Sequence, residues 1–351
     1  MQPKGFLDRL PVIFIGGLAL AAAVGLAISL RNSPTGPVVV IYTALDEQFS
    51  RPILDKFTDQ TGVRVLAKYD TESTKSVGLT QALIAERMRP RCDVFWNNEI
   101  VNTLRLARDG LLQDCDNTVF EAFPVEYRSK SDLWCGFAAR ARVLLVNTEI
   151  VSAEAMPTGI EDLCDPQWKD QVGIAKPLAG TTASHAATLF AVWGEERARE
   201  FFRCLKANAQ VLGGNKQVAR AVATGALAFG LTDTDDALIE IEAGFPVKIV
   251  YPDQQAGELG TLFIPNTVAM IKDAPHPENA QLLIEYLLSP EVEQTLAEGP
   301  SAQIPLRPKV AKSSRVESPE TVNAMKVDFD EAASKWEEAV HFLREEFATA
   351  N

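Results

Sequence analysis

PVVVIYTALDEQFSRPILDKFTDQTGVRVLAKYD, residues 37–70, is the segment from which the fold can be read. Val38 to Tyr42 is a β-branched run with no charge, the pattern of a strand buried on both faces. Phe49, Ile53, Leu54 and Phe57 then recur at helical spacing, and Gly62 follows as a helix stop. VRVLAKYD (63–70) reads as a second strand. Strand, helix and strand in succession predict parallel neighbours, because parallel strands need a long crossover.

The pattern repeats outward. KSVGLTQALIAERM (75–88) predicts a helix and CDVFWNN (92–98) a third strand. ARVLLVNT (141–148), QVGIAKP (171–177) and ALAFGLT (226–232) read as further strands, with helical stretches at 183–208 and 216–225. FPVKIVYP (245–252), GTLFIPNTVAMIK (260–272), a helix over 277–299 and an amphipathic segment over 319–350 complete the chain. Two α/β lobes with mainly parallel sheets are expected from 351 residues.

Composition narrows the function. Lys4, Arg9 and Arg31 against Asp8 give the first 36 residues +2, which leaves −15 on the remainder of a chain carrying −13. So acidic a body argues against nucleic acid, whose phosphates are bound through Lys and Arg. Residues 12–30, VIFIGGLALAAAVGLAISL, form an uncharged run of 19 residues, long enough to span a bilayer. An uncleaved membrane anchor and a cleaved signal are both compatible with it, and either exports the body to a periplasmic or extracytoplasmic location. Five cysteines without a CxxC pair exclude the common zinc patterns. In an oxidising compartment Cys115–Cys135 and Cys164–Cys204 are expected disulfides, with Cys92 a buried thiol.

Ligands of open parallel sheets bind beyond the carboxyl ends of the strands. Those positions hold Asp46 and Glu47; DTESTK (70–75), with Glu72 and Ser73; Asn97, Asn98 and Glu99; GTTASH (180–185); and TDTDD (232–236). Asp46 and Asp233 also suit helix N-caps, with Asp236 as a capping-box acid. Gly180, Thr181 and Thr182 suit an anion at a helix start. Asn215 is a further cleft candidate. His185, His276 and His341 leave little scope for a histidine-centred triad, the latter two being expected in solvent. No nucleophile and base can be paired, so no catalysis is expected; an exported enzyme using these carboxylates is the remaining alternative class.

Taken together, IYTALDEQFSRPILDKFTDQTGVRV, CDVFWNNE, ARARVLLVN, GTTASHAA, VARAVATGALAFGLTD and SAQIPLRP resemble the periplasmic solute-binding proteins of bacterial ABC importers, in their ferric-ion-binding branch. The resemblance implies a periplasmic-binding-protein type II fold. Residues 37–139 and 264–315 would form lobe 1 and 140–263 lobe 2, joined by crossing strands, with 1–36 a leader and 316–351 packed on a lobe. It implies an ABC permease as partner and a monomer. Asp46 falls where a metal-ligating histidine is expected, and Glu99 matches a glutamate ligand. Thr181 and Thr182 match hydroxyls that hold a synergistic anion, and Arg140 and Arg142 a basic pair. The adjacent tyrosine ligands of the family fall at Thr234 and Asp235 here. Two ligand classes follow: iron(III) or another hard cation held by Asp46, Glu99, Asp233 and Asp235 with an anion, or a small cationic, polyhydroxylated or phosphorylated organic solute.

Overall fold

The computed structural model describes residues 36–70, 76–115, 118–310 and 315–348. The apolar run 12–30, Glu72 and Ser73 lie outside them. Among the described residues no helix is long and apolar enough to cross a membrane.

Strand β1 (Val38–Thr43) lies between β2 (Arg64–Tyr69) and β3 (Val94–Asn97), parallel to both, with Val38 opposite Arg64 and Ile41 opposite Val94. The crossover from β1 to β2 is α1 (Glu47–Thr61). Its Ile53, Leu54 and Phe57 are buried, and Gly62, at φ 72°, returns its N–H to Thr58. α2 (Val77–Ala85) precedes β3, and α3 (Val101–Arg108) follows it.

Two long strands depart from the parallel pattern. β5 (Cys135–Asn147) is buried at all 13 positions, and β10 (Phe263–Ile271) runs antiparallel to both β3 and β5. β5 changes partner midway: residues up to Ala141 pair with β10, whereas Arg142–Val146 pair with β8 (Phe229–Asp233). β8 in turn is parallel to β6 (Val172–Ala175), which is parallel to β7 (Gln210–Leu212). Short β4 (Leu112–Gln113) pairs with β10, and β9 (Val247–Val250) with β5. The sequence pointed to two mainly parallel sheets; the structure has one mixed ten-stranded sheet, with β4 and β9 beside an eight-strand path of order β2-β1-β3-β10-β5-β8-β6-β7, because β5 serves both halves.

The helix expected over 183–208 is two, α4 (Gly180–Trp193) and α5 (Glu195–Asn208), divided at Gly194 with φ 83°. α6 (Asn215–Ala223) crosses from β7 to β8, and α7 (Thr234–Glu242) follows β8. Gly173 and Gly230 face each other in the sheet. A Cβ on Gly230 would stand 2.5 Å from Val218 of α6 and 2.8 Å from the Gly173 carbonyl. The bare glycine lets α6 lie close on β8, which brings Asn215 within reach of Asp233.

The span 277–299 divides into α8 (Pro277–Leu287) and α9 (Pro290–Glu298), where the Ser289 hydroxyl caps Val292 N–H. Among the described residues the final segment is helical over α10 (Phe329–Ser334) and α11 (Trp336–Phe347) and not before Phe329. It does not rest on one side. α10 contacts both α3 and α4, Trp336 and Val340 join the core around α3, and Phe342, Leu343 and Phe347 join the core of the β6–β8 half. Arg105 of α3 lies over the Trp336 ring and pairs with Glu337.

Cys164 and Cys204 form a disulfide, Cα–Cα 5.7 Å, between a short 3₁₀ turn (Ile160–Cys164) and α5. Cys115 and Cys135 are not joined, which corrects the expected pairing: Cys135 is held in β5 opposite Val268, with Arg128 on its other side. Cys92 is a buried thiol, as expected. His276 is not purely solvated, since its ring nitrogen meets Asp93 at 2.9 Å.

Asp253, between β9 and β10, is a buried carboxyl at φ 61°, and its Oδ2 has no hydrogen-bond partner among the described residues. Burial, with Glu258, Glu161 and Asp162 nearby, pushes it up from 3.8 to about 7, against the lowering effect of Ile160 N–H. A folded-state value above the unfolded one favours the protonated form, so this group's contribution to stability falls as pH rises from about 4 to about 7. Asp253→Asn keeps a residue tolerant of positive φ and removes the charge. Its melting temperature is expected to exceed the wild type by several degrees at pH 8 and to match it at pH 4, measured by circular dichroism. Equal melting temperatures at both pH values would refute this.

Candidate functional site

Arg140 and Arg142 are two apart on β5 and so point to the same face. Both are buried, at 3% and 1% exposure. Such charges require partners. Arg142 Nη1 donates to Asp233 Oδ1 at 2.6 Å, directly across the β5–β8 ladder, and to Asn215 Oδ1 at 3.1 Å. Arg140 Nη1 donates to Asp235 Oδ2 at 3.1 Å, and its Nη2 to the Asn98 carbonyl at 2.5 Å. Arg140 therefore joins the start of α7 to the loop after β3.

Asp233 occupies the N-cap position of α7 but makes no capping bond. Its Oδ2 accepts from Thr181 Oγ1 at 2.6 Å and Asn215 Nδ2 at 3.0 Å. The capping reading thus fails here, because the carboxylate turns to α4, α6 and Arg142 instead. Burial alone would raise its proton affinity; Arg142, Arg140 and the Thr181 hydroxyl outweigh burial and hold it below the ordinary carboxylate range. Thr182 Oγ1 donates to Asn215 Oδ1 at 3.1 Å, and Thr234 Oγ1 accepts the Ala141 N–H at 3.2 Å. His185, one turn along α4, is buried and neutral: burial, then Arg142, lowers it to about 3.

Beside this network lies a cavity of about 360 Å³, lined by Asn98, Lys176, Gly180, Thr181, Thr182, Gly213, Gly214, Asn215, Asp233 and Asp236. The N-termini of α4, α6 and α7 meet there, and the first-turn N–H groups and positive dipole ends of helices favour an anion. One carboxylate oxygen from each of Asp233, Asp235 and Asp236 lies within 4.8 Å of the others.

Of the expected ligands, Asp233, Asp235, Thr181, Thr182, Asn98, Asn215, Arg140 and Arg142 are brought together, with Thr234 buried behind them. Glu99 and Asp46 belong neither to the carboxylate cluster nor to the cavity wall. Glu99 is buried with its own donors: Asn97 Nδ2 at 2.8 Å, Ser184 Oγ at 2.6 Å and the Asn102 N–H in the first turn of α3. Through Ser184 it ties the β1–β3 half to α4. Asp46 stands half-buried at the start of α1, at the end of another strand. Asp236, expected as a capping acid, takes their place in the cluster. Lys176 was missed, although it directly follows β6 and the same strand-end rule points to it.

Two half-sheets sharing one long strand, with a polar cavity among helix N-termini at the shared point, define an α/β fold of the periplasmic-binding-protein kind. The chain belongs to the bacterial extracellular solute-binding protein family, whose model matches residues 102–335. It is similar to iron uptake protein A1 of Synechocystis, 26% identical over 332 residues that cover 87% of this chain and 90% of that one. Its fold matches iron-bound HitA from Pseudomonas aeruginosa, TM-score 0.80, 23% identity, covering 88% of this chain and 99% of that one. It also matches AfuA from Actinobacillus pleuropneumoniae with bound fructose-6-phosphate, TM-score 0.79, 22% identity, covering 90% and 99%.

Proposed function

We propose that this chain is the extracytoplasmic capture component of an ABC importer, that it performs no catalysis, and that its cargo is iron(III) held together with an oxyanion. The observation that carries this reading is the trio Asp233, Asp235 and Asp236, with carboxylate oxygens within 4.8 Å of one another beside converging helix N-termini. Hard cations prefer such oxygen donors. The anion would lie on the first-turn N–H groups of α4 and α6, near Thr181, Thr182, Asn215 and Lys176. The relative named for iron uptake supports the same reading. Residues 37–139 with 264–315, and 140–263, would act as lobes that close through Arg140–Asn98 and Ser184–Glu99, presenting a closed shape to the permease.

None of the five tyrosines lines the cavity. Metal-free protein titrated with ferric citrate in the presence of phosphate is therefore expected to load iron without an intense visible phenolate band. Native mass spectrometry that finds an organic adduct and no metal would refute the metal reading. Asp236 is only half-buried. Asp236→Asn is expected to weaken ferric binding roughly 10- to 100-fold, the worth of one charge-assisted contact, with little change in melting temperature. Competition against citrate measures it, and unchanged affinity would remove Asp236 from the site.

A second reading is favoured by the pairs Arg142–Asp233 and Arg140–Asp235. They already neutralise two of the three carboxylates, so the cavity also suits a phosphorylated organic solute with its phosphoryl group on the helix N-termini. The structural neighbour holding fructose-6-phosphate supports it. Mass spectrometry of the purified protein separates the two readings.

A further inference from the structure

The loop after α2, Arg87-Met88-Arg89-Pro90-Arg91, holds three arginines and no acid in a chain of net charge −13. Met88 at its tip is 89% exposed, and Arg87, Arg89 and Arg91 are exposed with no side-chain hydrogen bond or ion pair among the described residues. The adjoining Glu86 is engaged by the Tyr42 hydroxyl at 2.9 Å. Beside the loop is a cleft of about 340 Å³ with Leu83, Leu111 and Ile271 in its wall; Lys272 joins the arginines there, and Asp109 and Asp273 are its other acids.

The loop's place in the sheet is fixed. It leads into β3, and the Asp93 carboxylate accepts the Val40 N–H at 2.7 Å, so Arg91 stands at the end of the sheet where β1 begins. Arg64, opposite Val38, adds a cation at that end. Seven residues separate Leu30, the last of the apolar run, from Val38. They reach at most about 25 Å.

We propose that the Arg87–Arg91 loop is a membrane-contact surface that binds anionic phospholipid headgroups, with Met88 entering the interface. The inference rests on the anchored reading of residues 12–30. An acidic body as a whole is repelled by an anionic bilayer, so an exposed basic loop that meets the bilayer would set the orientation of the tethered protein. Arginines near a charged surface gain affinity additively, roughly fivefold each and about a hundredfold for three.

The test places the full chain, with Met88→Cys carrying a nitrobenzoxadiazole fluorophore, in nanodiscs of phosphatidylcholine alone or with phosphatidylglycerol. A blue-shifted, brighter emission is expected only with phosphatidylglycerol. It should disappear at high salt and in the triple variant Arg87→Gln, Arg89→Gln, Arg91→Gln. Identical emission in both discs, or an unaffected triple variant, overturns the proposal. A chain that does not remain with the discs refutes the anchor instead. Flotation with phosphatidylglycerol vesicles then decides: retention that falls about a hundredfold in the triple variant upholds the loop's role, and no retention, or retention unchanged by the substitutions, overturns it.

Discussion

Arg142→Met is expected to destabilise the protein by roughly 3–5 kcal/mol, because it leaves Asp233 buried without its guanidinium. In a chain of this size that lowers the melting temperature by on the order of 10 °C. The pH dependence should also change sign. In the wild type, Asp233 has a folded-state pKa below its unfolded value, so its contribution is present above about 3.8 and is lost as pH falls through the folded value. In the variant the buried carboxylate loses its ion-pair partner and keeps only Thr181, Asn215 and the charge of Arg140 against desolvation, the largest influence on it, so acid should restore stability. Adding Asp233→Asn to Arg142→Met should recover most of the loss at pH 7, since no charge then remains to be compensated. A single variant that melts within 2 °C of the wild type would mean that the pair contributes little.

Cys164→Ser is the second large effect. The disulfide closes a 40-residue separation, for which chain entropy gives about 4 kcal/mol. The variant should melt on the order of 10 °C lower, and reductant should bring the wild type down to the same value while leaving the variant unmoved. That loop contains β6, Lys176 and the start of α4, so the bridge braces one wall of the cavity. It is also a bond that persists in an oxidising compartment and not in the cytosol. Reductant-insensitive melting of the wild type would refute its contribution.

The strands were legible because their apolar runs are long and uninterrupted: β1, β3, β6 and β8 lie where the sequence indicates. Two helices were read too long, since apolar spacing continues across Gly194 and across Ser289–Pro290, where only backbone conformation reveals the break. α3 was missed: its eight residues are too few to display a period, and Val101 to Leu104 are all buried. At the site, Asp233 and Asp235 were legible from their position after a buried strand. Asp46 and Glu99 satisfied the same rule and still lie outside the carboxylate trio. What separates them is which donors reach each carboxylate, and Ser184, 85 residues away, cannot be assigned to Glu99 from spacing. The Cys115–Cys135 pairing failed for the same reason, since strand register and not sequence separation decides what Cys135 faces.

The C-terminal helices have a consequence for how such a chain can evolve. Ala332 and Ala333 are the buried small residues of α10, which packs on both α3 and α4. Under the proposed closure the halves would slide over that surface, and bulk added there would obstruct it. The tail is therefore not a free appendage: its packing on both halves constrains its residues, and shortening the chain before Phe329 would bare apolar surface on both halves at once.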